Sequence, residues 1–433
     1  TKKNYDAVGN ILSEFDEKGN KKEYTYDLSN RLKQLLLANG TSVNYDYDAN
    51  GNMTSKVIRT SGGRSQTFTY SYDAADKLIK TVGPLKDTTT NEYDANGNKT
   101  KTVLPKGNTI QWSYDGTERV KTISYNNVPY YEFSYDKNGN ELSVQYLKDG
   151  TTKTRKFDSA NRVIEQSDRG GLQKWQYPTT SDKLQQFMFS HGSFSQTVNF
   201  QYNALDQNTI VTDGTYTYRF DYDEKGNIRT FTTGNGAGST FIYDDRGLVE
   251  NVSVGTADGK EILSETYRYD ENGNRTKVEF PTGKAIDYRY DELDQLVEEE
   301  LPDGTKIEYT YDGFGNRTKV VKTKGGQSTT TNADYNEANQ LIRFGSETIT
   351  YDANGNRLED GQYRYEWNEA DQLVSITRKG ESTPFVTYKY DEDGRRIQKK
   401  VNGIVTNYHY QSDSLNVLYE TDASGNVVRS YIY

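Results

Sequence analysis

The chain has 433 residues, two histidines, no cysteine and a formal net charge of -10. The acidic balance argues against a direct nucleic-acid partner, because phosphate binding needs a basic patch. Disulfides are excluded, and His191 and His409 alone make a poor transition-metal set. No run approaches the ~18 apolar residues of a membrane span.

From the first residues onward an aromatic-Asp pair returns about every 21 residues. The full form, aromatic-Asp-x-x-Gly-Asn, begins at Tyr5, Phe15, Tyr47, Tyr93, Tyr135, Tyr222, Tyr269, Tyr311 and Tyr351. Its repeated positions are Tyr47, Asp48, Gly51 and Asn52, then Tyr93, Asp94 and Gly97, and Tyr135, Asp136 and Gly139. Further along stand Tyr222, Asp223 and Gly226, Tyr269, Asp270 and Gly273, Tyr311, Asp312 and Gly315, and Tyr351, Asp352 and Gly355. Looser copies without Gly-Asn fall between them, at Tyr26, Tyr72, Tyr114, Phe157, Tyr202, Tyr243, Tyr290, Tyr335 and Trp367. The two forms tend to alternate, so the deeper period is about 42 residues. A period of this size marks a repeat array whose units bury their apolar faces on their neighbours.

One unit shows the local design. In residues 290–312, Ile307, Tyr309 and Tyr311 alternate with Lys306, Glu308 and Thr310, the period of a strand with one packed face, and Pro302-Asp303-Gly304 supplies a turn. In Asp-x-x-Gly the Asp opens a type I turn by accepting backbone amides ahead, and Gly takes the position that needs positive φ. Each unit is therefore two strands and two turns. About 20 units give roughly 40 strands, and at ~4.8 Å apart a flat sheet would run about 190 Å. Open sheets rarely exceed about 10 strands without curling. The expected fold is all-β, with continuous antiparallel hairpin repeats spiralling into a hollow shell or open barrel, and residues 1–433 form a single array. Around Tyr177-Pro178 the motif decays, so 170–200 is the least regular stretch, where limited proteolysis is expected first.

The residues give little sign of chemistry. A catalytic residue is needed once, whereas Asp48, Asp94, Asp223, Asp270 and Asp312 return in unit after unit, as turn builders must. Calcium on stacked turn aspartates lacks the dense Asp-x-Asp ligand spacing. Gly234 to Gly238 lies between strand patterns with no helix after it and reads as a hairpin tip. Both histidines read as ordinary sheet or loop residues. No catalytic, metal or cofactor residue is assigned, and the chain is read as no enzyme. The 37 tyrosines make an apolar face that also carries hydroxyls, which serves either ring stacking or binding of cell-wall glycan or a cell-surface receptor.

Tyr-Asp-x-x-Gly-Asn in register at Tyr5, Tyr47, Tyr93, Tyr135, Tyr269, Tyr311 and Tyr351, led by x-Tyr-x-Tyr-Asp, resembles the YD-repeat, or Rhs-repeat, family over essentially the whole chain. The Lys, Asn and Tyr richness without cysteine resembles its wall-associated bacterial members. The resemblance implies a β-ribbon wound into a shell that encloses the protein's own C-terminal toxin, in a secreted, cell-wall-associated protein used in contact-dependent competition between bacteria. Residues 408–433 resemble the last repeats before an Rhs core, and the chain reads as a stretch of a longer array. The self-cleaving aspartates of relatives lie in that later segment, so no catalytic residue is carried over.

Overall fold

The computed structural model describes residues 2–432, and among them there are strands and turns but no helix. The strands number 42, from Lys2–Tyr5 to Val427–Ser430. They form a 33-stranded sheet and a 9-stranded sheet, built of hairpins in which each strand pairs antiparallel with the next, as Leu32–Leu36 does with Ser42–Tyr47. The count matches two strands for each repeat, and the all-β hairpin architecture expected from the 21-residue period is the one present.

The chain divides into two compact units, each assembled from two stretches remote in sequence. The first is Thr1–Asn91 with Ser239–Gly355, and the second is Glu92–Gly238 with Asn356–Tyr433. Most side chains are only half-buried, because a hairpin array has little interior. The densest apolar core lies in the second unit, where Trp175, Phe187, Phe189, Val198 and Val211 meet Leu418 and Tyr419. Phe189 and Tyr419 stack with centroids 5.7 Å apart and planes 3° from parallel. In the first unit Val43, Val278, Ala333 and Ile349 are buried.

Two sequence expectations need refinement. Strand Lys306–Tyr311 buries both of its faces in part, apart from Thr310, because Lys306 is held between Glu298 and Glu308 at 2.9 Å each. Irregularity in the 170–200 stretch is confined to the loop between strands Gly171–Gln176 and Gln186–His191. Those two flanking strands carry the core just described. The motif decays there because a longer loop replaces the tight turn, and Tyr202 still donates its hydroxyl to the Leu184 carbonyl at 3.0 Å.

Candidate functional site: the aromatic-Asp turn and the buried contacts

The repeated residues form one bonding pattern. The Asp backbone closes the turn, as with Gly51 N–H to the Asp48 carbonyl at 3.2 Å. One carboxylate oxygen of Asp48 then accepts the Asn52 backbone N–H at 2.9 Å, and the other accepts the Asn52 side-chain amide at 3.1 Å. Asp94, Asp136, Asp223, Asp270 and Asp312 repeat both bonds with the Asn four residues on. Against what desolvation they suffer, the carboxyls of Asp48, Asp136 and Asp223 are held below the usual carboxylate range by these amides. The fourth position is left-handed, with φ of 98° at Gly51 and 90° at Gly355, which is where glycine is strain-free.

The looser copies differ by design. The copies at Tyr114 and Tyr243 have Glu118 and Gly247 at the left-handed position, whereas most place Asn or Asp there, with φ of 59° at Asp76 and Asp294 and 60° at Asn161, conformations these two residues tolerate. That side chain accepts the amide of the preceding Gly-Asn turn, from Asn52 to Asp76 at 2.6 Å, Asn140 to Asn161 at 2.8 Å and Asn274 to Asp294 at 2.5 Å. Where Arg replaces Asn, Arg31 binds its own Asp27 at 2.7 Å and reaches the Asp48 carbonyl of the next turn at 3.0 Å. Arg119 does the same with Asp115 and Asp136, both at 2.8 Å. The 42-residue period thus alternates turns whose Asn donates with turns that accept it.

The tyrosine is more than an apolar ring. Tyr47 donates its hydroxyl to the Leu32 carbonyl at 2.9 Å, Tyr135 to Val120 at 2.8 Å, and Tyr222 to Asn208 at 2.6 Å. Tyr269 reaches Val249 at 2.7 Å, Tyr311 reaches Leu296 at 2.8 Å, and Tyr351 reaches Leu341 at 2.9 Å. Each acceptor opens the strand that leaves the previous aromatic-Asp turn, where the register shifts by one residue, as at Thr25/Tyr26 and Arg289/Tyr290. A bulge of this kind disrupts the local ladder, and the hydroxyl supplies a partner there. Tyr93 ends its strand, Thr88–Tyr93, in the same place. Among the described residues the same bonding recurs from copy to copy, as in a scaffold.

Inside each unit, turns remote in sequence touch. In the first, Lys18 contacts Asp270 at 2.6 Å and Asp294 at 3.0 Å, and Asn272 donates to Asp16 at 2.8 Å. Burial acts to lower the Lys18 pKa, but the two carboxylates raise it. Arg64 pairs with Asp312 at 2.9 Å and lies over Phe314, and the Thr41 hydroxyl donates to the Gly313 carbonyl at 3.0 Å. In the second, Lys153 and Glu392, both almost fully buried, form an ion pair that the Tyr146 hydroxyl joins. Burial pushes Glu392 up, but Lys153 and Tyr146 hold it below the usual value, while burial pushes its neighbours Asp391 and Asp393 up. These three carboxyls lie close together, and their charge is met by Lys153 and Arg395, which explains the cluster without a cation.

The two histidines, separate in the sequence reading, are brought together in the second unit with ring centroids 5.5 Å apart. No spacing signal could have paired them, nor Lys153 with Glu392. The tyrosine hydroxyl bond was partly within reach of the sequence, because its acceptor sits 15 residues upstream in Tyr47, Tyr135 and Tyr311, although it is 20 upstream at Tyr269 and 10 at Tyr351.

The Teneurin YD-shell family model matches residues 237–419. The tRNA nuclease WapA of Bacillus subtilis (strain 168) is 52% identical over 318 residues, which are 73% of this chain and 14% of that protein. The tRNA(Glu)-specific nuclease WapA of Bacillus subtilis subsp. natto matches with the same identity and coverage. The chain therefore spans about one seventh of the length of these relatives. Among solved structures, the TcdB2-TccC3-TEV crystal structure aligns over 100% of this chain and 28% of its own, with a TM-score of 0.57 and 14% identity. TcdB2-TccC3 aligns over 99% and 30%, with a TM-score of 0.55 and 14% identity. These structural likenesses show a shared fold. On its repeated aromatic-Asp turns and on these matches, the chain belongs to the YD-repeat, or Rhs-repeat, family.

Proposed function

We propose that the chain is a wall segment of a toxin shell in a secreted or wall-associated protein, enclosing and helping to deliver a C-terminal toxin in contact-dependent competition between bacteria. It acts by architecture, and no catalytic step is assigned to it. The carrying observation is that the same turn bonding recurs throughout, with the donor turns of one repeat keyed to the acceptor turns of the next. Such uniformity builds a continuous wall, whereas an active site needs one exceptional place. The relatives named as nucleases support a toxin context, since their matched portion is a small share of their length. Small-angle X-ray scattering on the chain tests the reading. A distance distribution of a curved wall around a void supports it, and that of a solid rod refutes it.

A second reading, a cell-wall glycan or cell-surface binding module, rests on one feature. A cleft of about 780 Å³ in the second unit is lined by Lys174, Trp175, Gln176, Tyr177 and Gln186, and Arg162 covers the Tyr177 ring at 4.4 Å. Aromatic faces beside polar groups suit sugars. Retention on purified wall that Tyr177→Ala abolishes would favour this reading, and no retention would dismiss it.

A further inference from the structure

We propose that His191 and His409 form an acid-sensitive latch that holds strand Gln186–His191 against strands Ile404–Tyr410 and Val417–Thr421 within the second unit. The inference goes beyond the shell reading and stands without it.

The geometry comes first. These are the two histidines of the 433-residue chain, and both rings pack on Tyr419. His409 stacks on it at 4.5 Å and 18°, and His191 tilts against it at 5.9 Å. The His191 Nδ1 lies 3.0 Å from the Gly170 carbonyl, so it carries the hydrogen and donates. The His409 Nε2 lies 3.1 Å from the Thr421 hydroxyl. Packing leaves no slack, because a Cβ on Gly170 would stand 2.7 Å from the His409 Nδ1 and 2.8 Å from the Asp168 carboxylate. In the neutral state both imidazoles thus pack as aromatic rings on Tyr419, a member of the core.

The charges around the pair make protonation costly. Around His409, Asp168 and Arg169 come from the hairpin tip, Tyr146 and Lys153 from the strands beside it, and Asp391, Arg395, Tyr408 and Tyr410 from the second stretch, with Tyr419 against both rings. Lys153 and Arg395 are already matched to Glu392 and Asp391. Arg169 is paired with Asp149 at 3.1 Å and lies over the Tyr146 ring, which leaves Asp168 as the carboxylate able to answer new positive charge. Asp168 accepts from the Gly170 N–H at 2.7 Å and from Gln166 at 3.0 Å, and burial pushes its pKa up. Its carboxylate oxygens are thus already engaged by these two donors. Two imidazolium rings at 5.5 Å would then repel in a partly desolvated site.

Burial, with His191 and Arg169 nearby, lowers the His409 pKa to about 4. Its value in the folded chain lies below that in the unfolded one, near 6.5. The contact is accordingly at full strength above about pH 6.5 and weakens as pH falls toward 4. The shift corresponds to a limiting change of about 300-fold in the opening equilibrium, and on the order of a hundredfold between pH 7 and 4.5.

The experiment uses the whole chain. Imidazole carbon resonances are followed from pH 7.5 to 4, and amide exchange, corrected for intrinsic rates, is followed in peptides covering 186–191 and 404–421. The expected result is one histidine that resists protonation at pH 5.5, together with loss of protection of the stated size. His409→Gln, which retains a donor for Thr421, should flatten that loss. The contact of Lys18 with Asp270 and Asp294 in the first unit should hold over the same range, since those carboxyls lie below the usual value. Both histidines titrating near 6.5, unchanged protection in the wild type, or an equal loss in the variant overturns the proposal. If the variant fails to fold, the wild-type titration decides alone.

Discussion

Replacing Tyr311 separates the two contributions of the motif tyrosine. The half-buried ring covers roughly 100 Å² of apolar surface, which at about 25 cal/mol/Å² contributes about 2.5 kcal/mol. The hydroxyl bond to the Leu296 carbonyl, 2.8 Å long, adds about 1 kcal/mol. Tyr311→Phe should thus weaken the local hairpin by about 1 kcal/mol, and Tyr311→Ala by about 3.5 kcal/mol. Lys306, on the same strand and 38% exposed with two ion pairs, should contribute no more than about 1 kcal/mol. Amide exchange across Leu296–Glu300 and Arg317–Lys324 measures the difference. Exchange should quicken about fivefold for Phe and well over a hundredfold for Ala, since each 1.4 kcal/mol is tenfold. Because array stability is close to a sum of neighbouring terms, distant hairpins should change far less. A Phe variant matching the wild type would show that the hydroxyl bond is without consequence. Equal effects of Tyr311→Ala and Lys306→Ala would show that the faces are wrongly assigned.

Four further outcomes follow from the geometry. Gly313→Ala would set a Cβ 2.5 Å from the Thr60 Cβ, so it should cost about 1–3 kcal/mol and, by thermal unfolding, destabilise the chain more than Ala at the open position Gly116. Lys153→Met leaves Glu392 buried without its cation and should cost about 3–5 kcal/mol, whereas adding Glu392→Met should recover much of that in urea unfolding. The turn aspartates, held below their ordinary value, have lower pKa values folded than unfolded. Their contribution is therefore present above about pH 4 and lost as pH falls further; circular dichroism should show the sheet outlasting the histidine contact on acidification. Limited proteolysis should cut first within the loop after Tyr177, and first cleavage inside a Gly-Asn turn such as 48–52 would contradict this reading.

Much of the fold is legible in the residues because its rules are local. A strand period of two, an Asp that closes its own turn and a residue tolerant of positive φ all act within about six positions, so Tyr47 to Asn52 specifies the same hairpin end wherever it recurs. The alternation of Gly-Asn turns with the looser turns is also visible, although its reason, an amide reaching the left-handed side chain of the next turn, is a matter of three-dimensional contact. What tertiary structure alone decided is which distant turns meet. Lys18 with Asp270, Lys153 with Glu392 and His191 with His409 each join, inside one unit, residues more than two hundred positions apart. Such meetings depend on how small strand-to-strand twists add up, and no spacing in the sequence records them.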